Sequence, residues 1–552
     1  MDDRLWTEDD NVRLRCVDWR LLLPNPTPNR TICLADGLLG DAVALISKQT
    51  GASLNVHNAC DLVVAVDPDA STLRAARVAL APGAWCYMEW RSPVLAGPRR
   101  IRRKLERAGF DQIACYRPWP SPRQARLWLP VDSRGTSRHL RYLQGGGQTL
   151  TRRTRLLVLR WLWGVAKWVP LYPISIVARK PSSALVAPPA HRSLLERVRE
   201  GWSAWGLGPA PRGLSCLLVA EGRRSISKCV ALVFEEPDGR PRLAIKLPRV
   251  PAAVPALRRE AAVLKMLHAR HPGAFPEIPR IVFERWQGAG TLLGETALVG
   301  TPLRALVRRG NYRELALKVT DWLTVFAQRT AKPPSMGWKR IAASALADFT
   351  AAFGEVAENR LLQQTRAAIE RVDPLPVITE QRDFSPWNVL VGRKGEVLVL
   401  DWESAELDGL PACDLIYFLT HLACELDGVL PDTASDRLRD SYRRSLDSTS
   451  FTGRVRAECL ARYAKKLGLD ATLLSPLAAL TWLIHSRSDY RQLTADAGGR
   501  PDAKALGRSA FLAFWEEEVR AGTTQTGQGA FDDRWRTPLS QQIRQPACIP
   551  PS

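Results

Sequence analysis

Short apolar runs alternate with segments of helical spacing through the first 150 residues. TICLAD (Thr31 to Asp36), DLVVAV (Asp61 to Val66) and GAWCYMEW (Gly83 to Trp90) are stretches of strand length, apolar enough to be buried in a sheet. STLRAARVAL (Ser71 to Leu80) and RRIRRKLERAGF (Arg99 to Phe110) place apolar residues three and four apart, and so predict helices. Strand and helix in alternation predict an α/β sheet. Further on, CLLVAEGRRSISKCVALVF (Cys216 to Phe234) reads as strand, turn and strand, and RLAIKLP (Arg242 to Pro248) as another strand. LRREAAVLKML (Leu257 to Leu267) is helical in period, and NVLV-GRKG-EVLVL (Asn388 to Leu400) is a short hairpin. Gly145 to Gly147 and the APP at Ala187 to Pro189 punctuate the chain. Four parts are therefore expected: an α/β domain at 1–150, a connector at 151–191, a second domain at 192–525 and a disordered tail at 526–552.

Composition narrows the class. With 45% hydrophobic and 24% charged residues among 552, the chain is that of a globular protein, which excludes wholesale disorder and a multi-span membrane protein. Its net charge of +22 calls for an anionic partner or surface. Between Gly97 and Lys180 there are 19 cations against Glu106, Asp111 and Asp132, a surplus of 16. Within that region, Leu156 to Ala178 is apolar apart from Arg160 and Lys167, and carries Trp161, Trp163 and Trp168. Two cations at roughly 2.5–3.5 kcal/mol each near a bilayer centre, with Pro170 and Pro173, argue against a span. Two readings stay open: a helical pair with a solvated basic face, and peripheral contact of residues 152–180 with an anionic membrane or a lipid-linked substrate. No nucleic-acid reading motif accompanies the charge. The 11 cysteines form no C-x-x-C pair, and MDDRLWTEDD has no apolar core, so a cytoplasmic protein is expected, in the membrane reading peripheral at the inner face.

The chemistry lies in the second domain. Lys246 stands alone in an apolar strand, where an anion must meet it, and Glu260 follows 14 residues later on the predicted helix. Such a pair holds the α/β-phosphates of a nucleotide in phosphoryl transfer. The turn Glu221 to Ser227 can cover phosphates through its backbone N–H groups, with Gly222 its only glycine. ITEQRDFSPWNVLVGRKGEVLVLDWESAELDGLPACDLIYFL (Ile378 to Leu419) contains Asp383, Asn388 five residues on, and Asp401 after the hairpin. The short hairpin is expected to bring Asp401 back near Asn388. Together they supply hard oxygen ligands for Mg²⁺, while Asp383 orients or deprotonates an acceptor hydroxyl. Glu403 reads as a turn cap rather than an assistant to the metal.

The string D-F-S-P-W-N, followed by L-V-L-D-W-E and D-L-x-Y-F, resembles the aminoglycoside phosphotransferase and choline kinase family, relatives of the protein kinases. The resemblance covers about residues 217–520 and implies a two-lobed protein-kinase-like fold that holds ATP. By matching positions it implies Asp383 as base, Asn388 and Asp401 as Mg²⁺ ligands, and Lys246 with Glu260 on phosphate. Backbone near Glu295 to Leu298 would meet adenine, and Asp414 would brace the lobe. Where the family reads His-Gly before the aspartate, this chain has Gln381-Arg382. LADGLLGDAVALI (Leu34 to Ile46) resembles the first glycine motif of class I S-adenosylmethionine methyltransferases, which implies a Rossmann-like N-terminal domain. Only 24 residues separate Gly37 from Asp61, too few for that family's cofactor wall, so S-adenosylmethionine is not expected to bind. The expected activity is transfer of the γ-phosphate of ATP to a hydroxyl of a small molecule: a sugar, an aminoglycoside-like compound or an amino alcohol. The competing expectation is an inactive nucleotide-binding scaffold.

Overall fold

A computed structural model describes residues 7–91, 97–131, 133–136, 173–182, 192–222, 227–286, 291–430, 434–497 and 499–526. The chain divides into two compact units, one of Met1–Ala305 with Leu390–Glu403, the other of Leu306–Val389 with Ser404–Ser552.

The first unit is built on one 12-stranded sheet. Its N-terminal half contains β1 (Arg30–Cys33), β2 (Gln49–Gly51), β3 (Cys60–Val66), β4 (Leu80–Trp90), β5 (Asp111–Trp119), β6 (Leu127–Pro130) and β7 (Ile174–Arg179). The other half contains β8 (Leu214–Val219), β9 (Lys228–Glu235), β10 (Pro241–Pro248), β11 (Ile281–Arg285) and β12 (Leu292–Thr296). The order is β11-β12-β10-β9-β8-β6-β5-β7-β4-β3-β1-β2. Strands β2, β1, β3 and β4 run parallel, and β7 enters antiparallel between β4 and β5. Helices α1 (Glu8–Cys16), α2 (Leu38–Ile46), α3 (Ala70–Ala79) and α4 (Pro98–Arg107) accompany this half.

Local chemistry explains these elements. Asp69 caps α3, its carboxylate accepting the Thr72 amide at 2.7 Å. Leu73, Ala76 and Ala79 of α3 and Ile101 and Leu105 of α4 are buried against the sheet. Arg99, Arg100, Arg103 and Arg107 face out from α4, so part of the basic surplus is a solvated helix face.

The expected division at 150 and 192 does not match the compact units. Strand β6 pairs antiparallel with β8, Leu127 against Val219 and Trp128 against Leu218, which joins the two halves edge to edge. One apolar cluster then runs across the join, from Trp19, Leu39 and Val43 through Tyr87 and Trp128 to Leu218, Ala231 and Ile245. A shared core of this kind makes one structural unit, because neither half buries its inner face alone. The expected connector 151–191 also contains β7, buried at all six positions between β4 and β5. Its apolar run from Ile174 to Ala178 is thus interior sheet. Residues 152–172, with their tryptophans, lie outside the described residues, as do the Gly145 to Gly147 break and the tail after Thr526. Among the described residues no helix is long and apolar enough to cross a membrane.

The first unit continues with α5 (Leu194–Gly201), α6 (Val254–Arg270), β13 (Thr301–Pro302), and the hairpin of β16 (Val389–Val391) and β17 (Val397–Val399). Strands β13, β16 and β17 form a small sheet. The second unit is mainly helical: α7 (Tyr312–Thr330), α8 (Gly337–Phe353), α9 (Asn359–Glu370), α10 (Cys413–Asp427), α11 (Asp436–Leu446), α12 (Phe451–Leu467), α13 (Leu474–Ala497) and α14 (Ala510–Thr526). Strands β14 (Lys332–Ser335), β15 (Leu375–Glu380) and β18 (Glu406–Gly409) make its sheet.

Candidate phosphoryl-transfer site

In the first unit, β10 carries Lys246 and α6 carries Glu260, both buried, and the Lys246 ammonium donates to the Glu260 carboxylate. The same carboxylate oxygen accepts the backbone N–H of Trp402 at 2.7 Å, one residue beyond Asp401. Strand, helix and the segment after the hairpin thus meet on one carboxylate. Glu295 of β12 lies 3.3 Å from Lys246. Burial opposes the charge of Lys246, but Glu260 and Glu295 outweigh it and raise its pKa. Burial and the charge of Glu260 push Glu295 up to about 8, so at neutral pH it is mostly protonated. Sequence reasoning used only the backbone of Glu295; its side chain belongs to the lysine. Leu298, half-buried, follows β12 in a stretch without regular structure.

Asp401, at a left-handed φ of 63°, accepts from Lys228 at the start of β9, and so does Glu403. Lys228 was missed in the sequence, since nothing local distinguishes it from any lysine after a turn. Burial disfavours its charge, but Asp401, Glu260 and Glu403 more than compensate and raise its pKa. Asp401 is lowered, with Lys228 and Lys246 overcoming burial, whereas burial and the Asp401 charge raise Glu403. Glu403, expected as a turn cap, thus has its carboxylate on Lys228.

The donor set fits a divalent cation. Glu260, Asp401 and Glu403 each offer an oxygen within 4.8 Å of the others, and buried Glu260 Oε2 has no hydrogen-bond partner. With Glu295 mostly protonated, the carboxylates of Glu260, Asp401 and Glu403 still outnumber the ammonium groups of Lys228 and Lys246, leaving negative charge that a hard-ligand cation neutralises.

In the second unit, β15 delivers the loop 381–388. Asp383 Oδ2 accepts Asn388 Nδ2 at 2.8 Å, and Tyr417 of α10 donates to Oδ1 at 3.3 Å. Gln381, fully buried, accepts the Asp383 amide at 2.8 Å, so the residue in place of the family's histidine still supports the loop. Arg382 has a left-handed φ of 66°, where the family's glycine carries no penalty. Asp414 holds that conformation by accepting the amides of Gln381 at 2.7 Å and Arg382 at 2.9 Å, the bracing role expected of it. Burial and the charge of Glu380 push Asp414 up to about 7.

Tyr417 is sandwiched by two imidazoles, with His421 at 4.0 Å and His485 at 4.2 Å, both stacked. Burial lowers His421 to about 4 and His485 well below its ordinary value, so both rings are neutral at pH 7. The unfolded chain binds a proton at each near pH 6.5 and the folded chain does not. Stability is therefore fully present above pH 6.5 and falls as pH drops towards 4, by up to about 3 kcal/mol for His421 alone. Urea unfolding from pH 7.5 to 4.5 checks this, and His421→Phe is expected to flatten part of the acid limb.

The predicted residues thus assemble as Lys246 with Glu260 and Glu295, Asp401 with Lys228 and Glu403, and Asp383 with Asn388. Residues 232–450 match the model of the phosphotransferase enzyme family. No curated protein matches the chain in sequence. Among solved structures, the chain is similar to a spectinomycin phosphotransferase crystallised with ADP and spectinomycin. Identity there is 12% and the TM-score 0.33, covering 59% of this chain and 97% of that one. It is also similar to an ethanolamine kinase of Plasmodium vivax (10%, TM-score 0.32, 70% and 91% covered) and to a glucosamine kinase (14%, TM-score 0.30, 55% and 94% covered).

Proposed function

We propose that this protein is an ATP- and Mg²⁺-dependent phosphotransferase acting on a hydroxyl of a small molecule, such as a sugar, an aminoglycoside-like compound or an amino alcohol. The observation that carries the reading is the Lys246–Glu260–Trp402 junction beside Asp401. It ties a phosphate-side lysine to the segment bearing the metal carboxylate, the recurring arrangement of kinase sites. Asn388 and Asp401 are the proposed Mg²⁺ ligands, with Glu403 and Glu260 supplying further oxygen; when bound, the ion neutralises charge on the phosphates. Lys246 binds the α/β-phosphates. Asp383 takes the proton of the acceptor hydroxyl as that oxygen bonds to the γ-phosphorus and the bond to the ADP oxygen breaks. Tyr417 and Asn388 keep the Asp383 carboxylate oriented.

Thermal-shift titration tests the binding half. MgATP is expected to raise the Tm of the wild type, by about 2.7 kcal/mol of stability at 100 times Kd, and to leave Asp401→Ala unmoved. Turnover on a panel of alcohols tests the transfer half.

One observation favours the scaffold reading: the Lys228 ammonium already lies on Asp401 and Glu403, where a cation's charge is needed. On that reading ATP binds equally well with and without Mg²⁺, and no acceptor is phosphorylated.

For the N-terminal half we propose a methyltransferase-like α/β module without cofactor. The reversal of strand order at β1 and β3, and Gly37 at φ 62° opening α2, support the likeness. Asp61 and Asp67, the acidic positions nearest that crevice in sequence, accept the amides of Asn29 and Arg30 and of Arg91 respectively. Those bonds support the absence of S-adenosylmethionine.

A further inference from the structure

Lys228 and Lys246 project from the same face of the sheet. In the antiparallel pairing of β9 with β10, Lys246 stands opposite Val230 and Lys228 opposite Pro248. Opposed residues share a face and side chains alternate with a period of two, so both ammonium groups lie on one side. Glu295 joins them there, since its partner across β10 and β12 is Ala244, two residues before Lys246. One face of three strands thus carries two cations, and acids from α6 and from the segment after β17 meet them on it.

The two cations divide the acids unequally. Lys246 donates to Glu260 Oε1, which also accepts the Trp402 amide at 2.7 Å. Lys228 donates to Asp401 Oδ1 and Glu403 Oε2. Glu260 Oε2, on a fully buried side chain, is left with no hydrogen-bond partner, although Glu260, Asp401 and Glu403 offer oxygens within 4.8 Å of one another. A buried acceptor without a donor is destabilising. The Lys228 ammonium, where it stands, serves two of the three carboxylates; a divalent ion gathers oxygens from all sides and can hold all three. Charge points the same way. With Glu295 mostly protonated, three carboxylates against two ammonium groups leave one negative charge. A divalent ion in place of the Lys228 ammonium brings the cluster to neutrality, whereas both cations side by side repel.

We propose that the Lys228 ammonium holds the place of the divalent cation on Asp401 and Glu403 and is displaced when the ion binds, so that Lys228 sets the free metal concentration at which the site loads. Lys228 acts through the metal carboxylates and is a positioning residue. The proposal rests on the phosphotransferase reading above. It also accounts for the contact that favours the scaffold reading, as an occupancy that a metal ion reverses.

Mn²⁺, titrated into the full chain without nucleotide and followed by electron paramagnetic resonance of the free ion, tests it. Lys228→Met removes the charge with little change of volume. It is expected to bind Mn²⁺ about ten-fold more tightly than the wild type, because the ion no longer competes with roughly one charge-assisted hydrogen bond. Lys228→Arg is expected to move affinity the other way, by a similar factor of about ten, since a guanidinium grips carboxylates with a fork and is harder to displace. A lysine that merely props β9 would not shift metal affinity in opposite directions in the two variants. If Lys228→Met fails to fold, Lys228→Arg carries the comparison, and unchanged or tighter Mn²⁺ binding by it overturns the proposal. Mn²⁺ bound by the wild type and no more tightly by Lys228→Met overturns the displacement and leaves the phosphotransferase reading standing. Mn²⁺ bound by neither protein, with ADP added as well as without it, overturns the Mg²⁺-dependent reading and the displacement together.

Discussion

Asp383→Asn is expected to lower kcat by about 10²–10⁴-fold, the range a positioned general base supplies, with MgATP affinity within a few-fold of the wild type. The substitution is nearly isosteric, so the Gln381 side chain still accepts the amide of residue 383 and Asp414 still braces the two residues before it. What disappears is the proton acceptor. An asparagine amide also turns a donor towards Asn388 Nδ2 or Tyr417 Oη, which both now donate to the carboxylate. Burial and the Asp383 charge hold the Tyr417 phenol far above its ordinary pKa, so it remains a protonated donor throughout the working range. Turnover of Asp383→Asn at the wild-type rate, on an alcohol that the wild type phosphorylates, sinks the assignment of the base.

Lys246→Met is expected to cost about 3–5 kcal/mol of stability near pH 9, because it strips a buried cation from buried carboxylates. Glu260 keeps the Trp402 amide and the charge of Lys228 but loses its ammonium partner, and Glu295 loses its ion pair. The cost should shrink on acidification. Glu295 is already pushed up to about 8 with the lysine present, and removing the lysine raises it further. The folded variant then binds more protons than the unfolded chain from the ordinary carboxylate range up to the raised pKa. Its stability therefore falls as pH rises through that window. Urea unfolding of wild type and variant at pH 6 and pH 9 gives the comparison. A penalty that does not grow between the two means that Lys246 is not the counter-ion of these acids.

The elements that carry these residues were legible in the sequence because their signals are local. Apolar continuity marked β3 and β10, three-and-four spacing marked α3 and α6, and the Asn388–Asp401 spacing marked a hairpin that forms as β16 and β17. The pairing of Lys246 with Glu260 was legible too, since a strand lysine inside apolar neighbours needs a buried anion. Lys228, the side chain of Glu295 and the support from Gln381 were not, because each depends on which surface lies opposite. The interior position of β7 was hidden for a related reason: its apolar run reads equally well as a surface segment until β4 and β5 are placed on either side of it.

By itself, then, the order of residues determined the periodicities, the loop that presents Asp383, and the residue types able to handle phosphate and a hard cation. Only the tertiary structure decided that β6 meets β8 and merges two expected domains into one sheet, and that Asp18 grips Arg249 across 231 residues of chain. Periodicity and capping act over one or two turns of backbone. Edge pairing and buried ion pairs are instead chosen by the packing of whole layers, so no short stretch of sequence contains them.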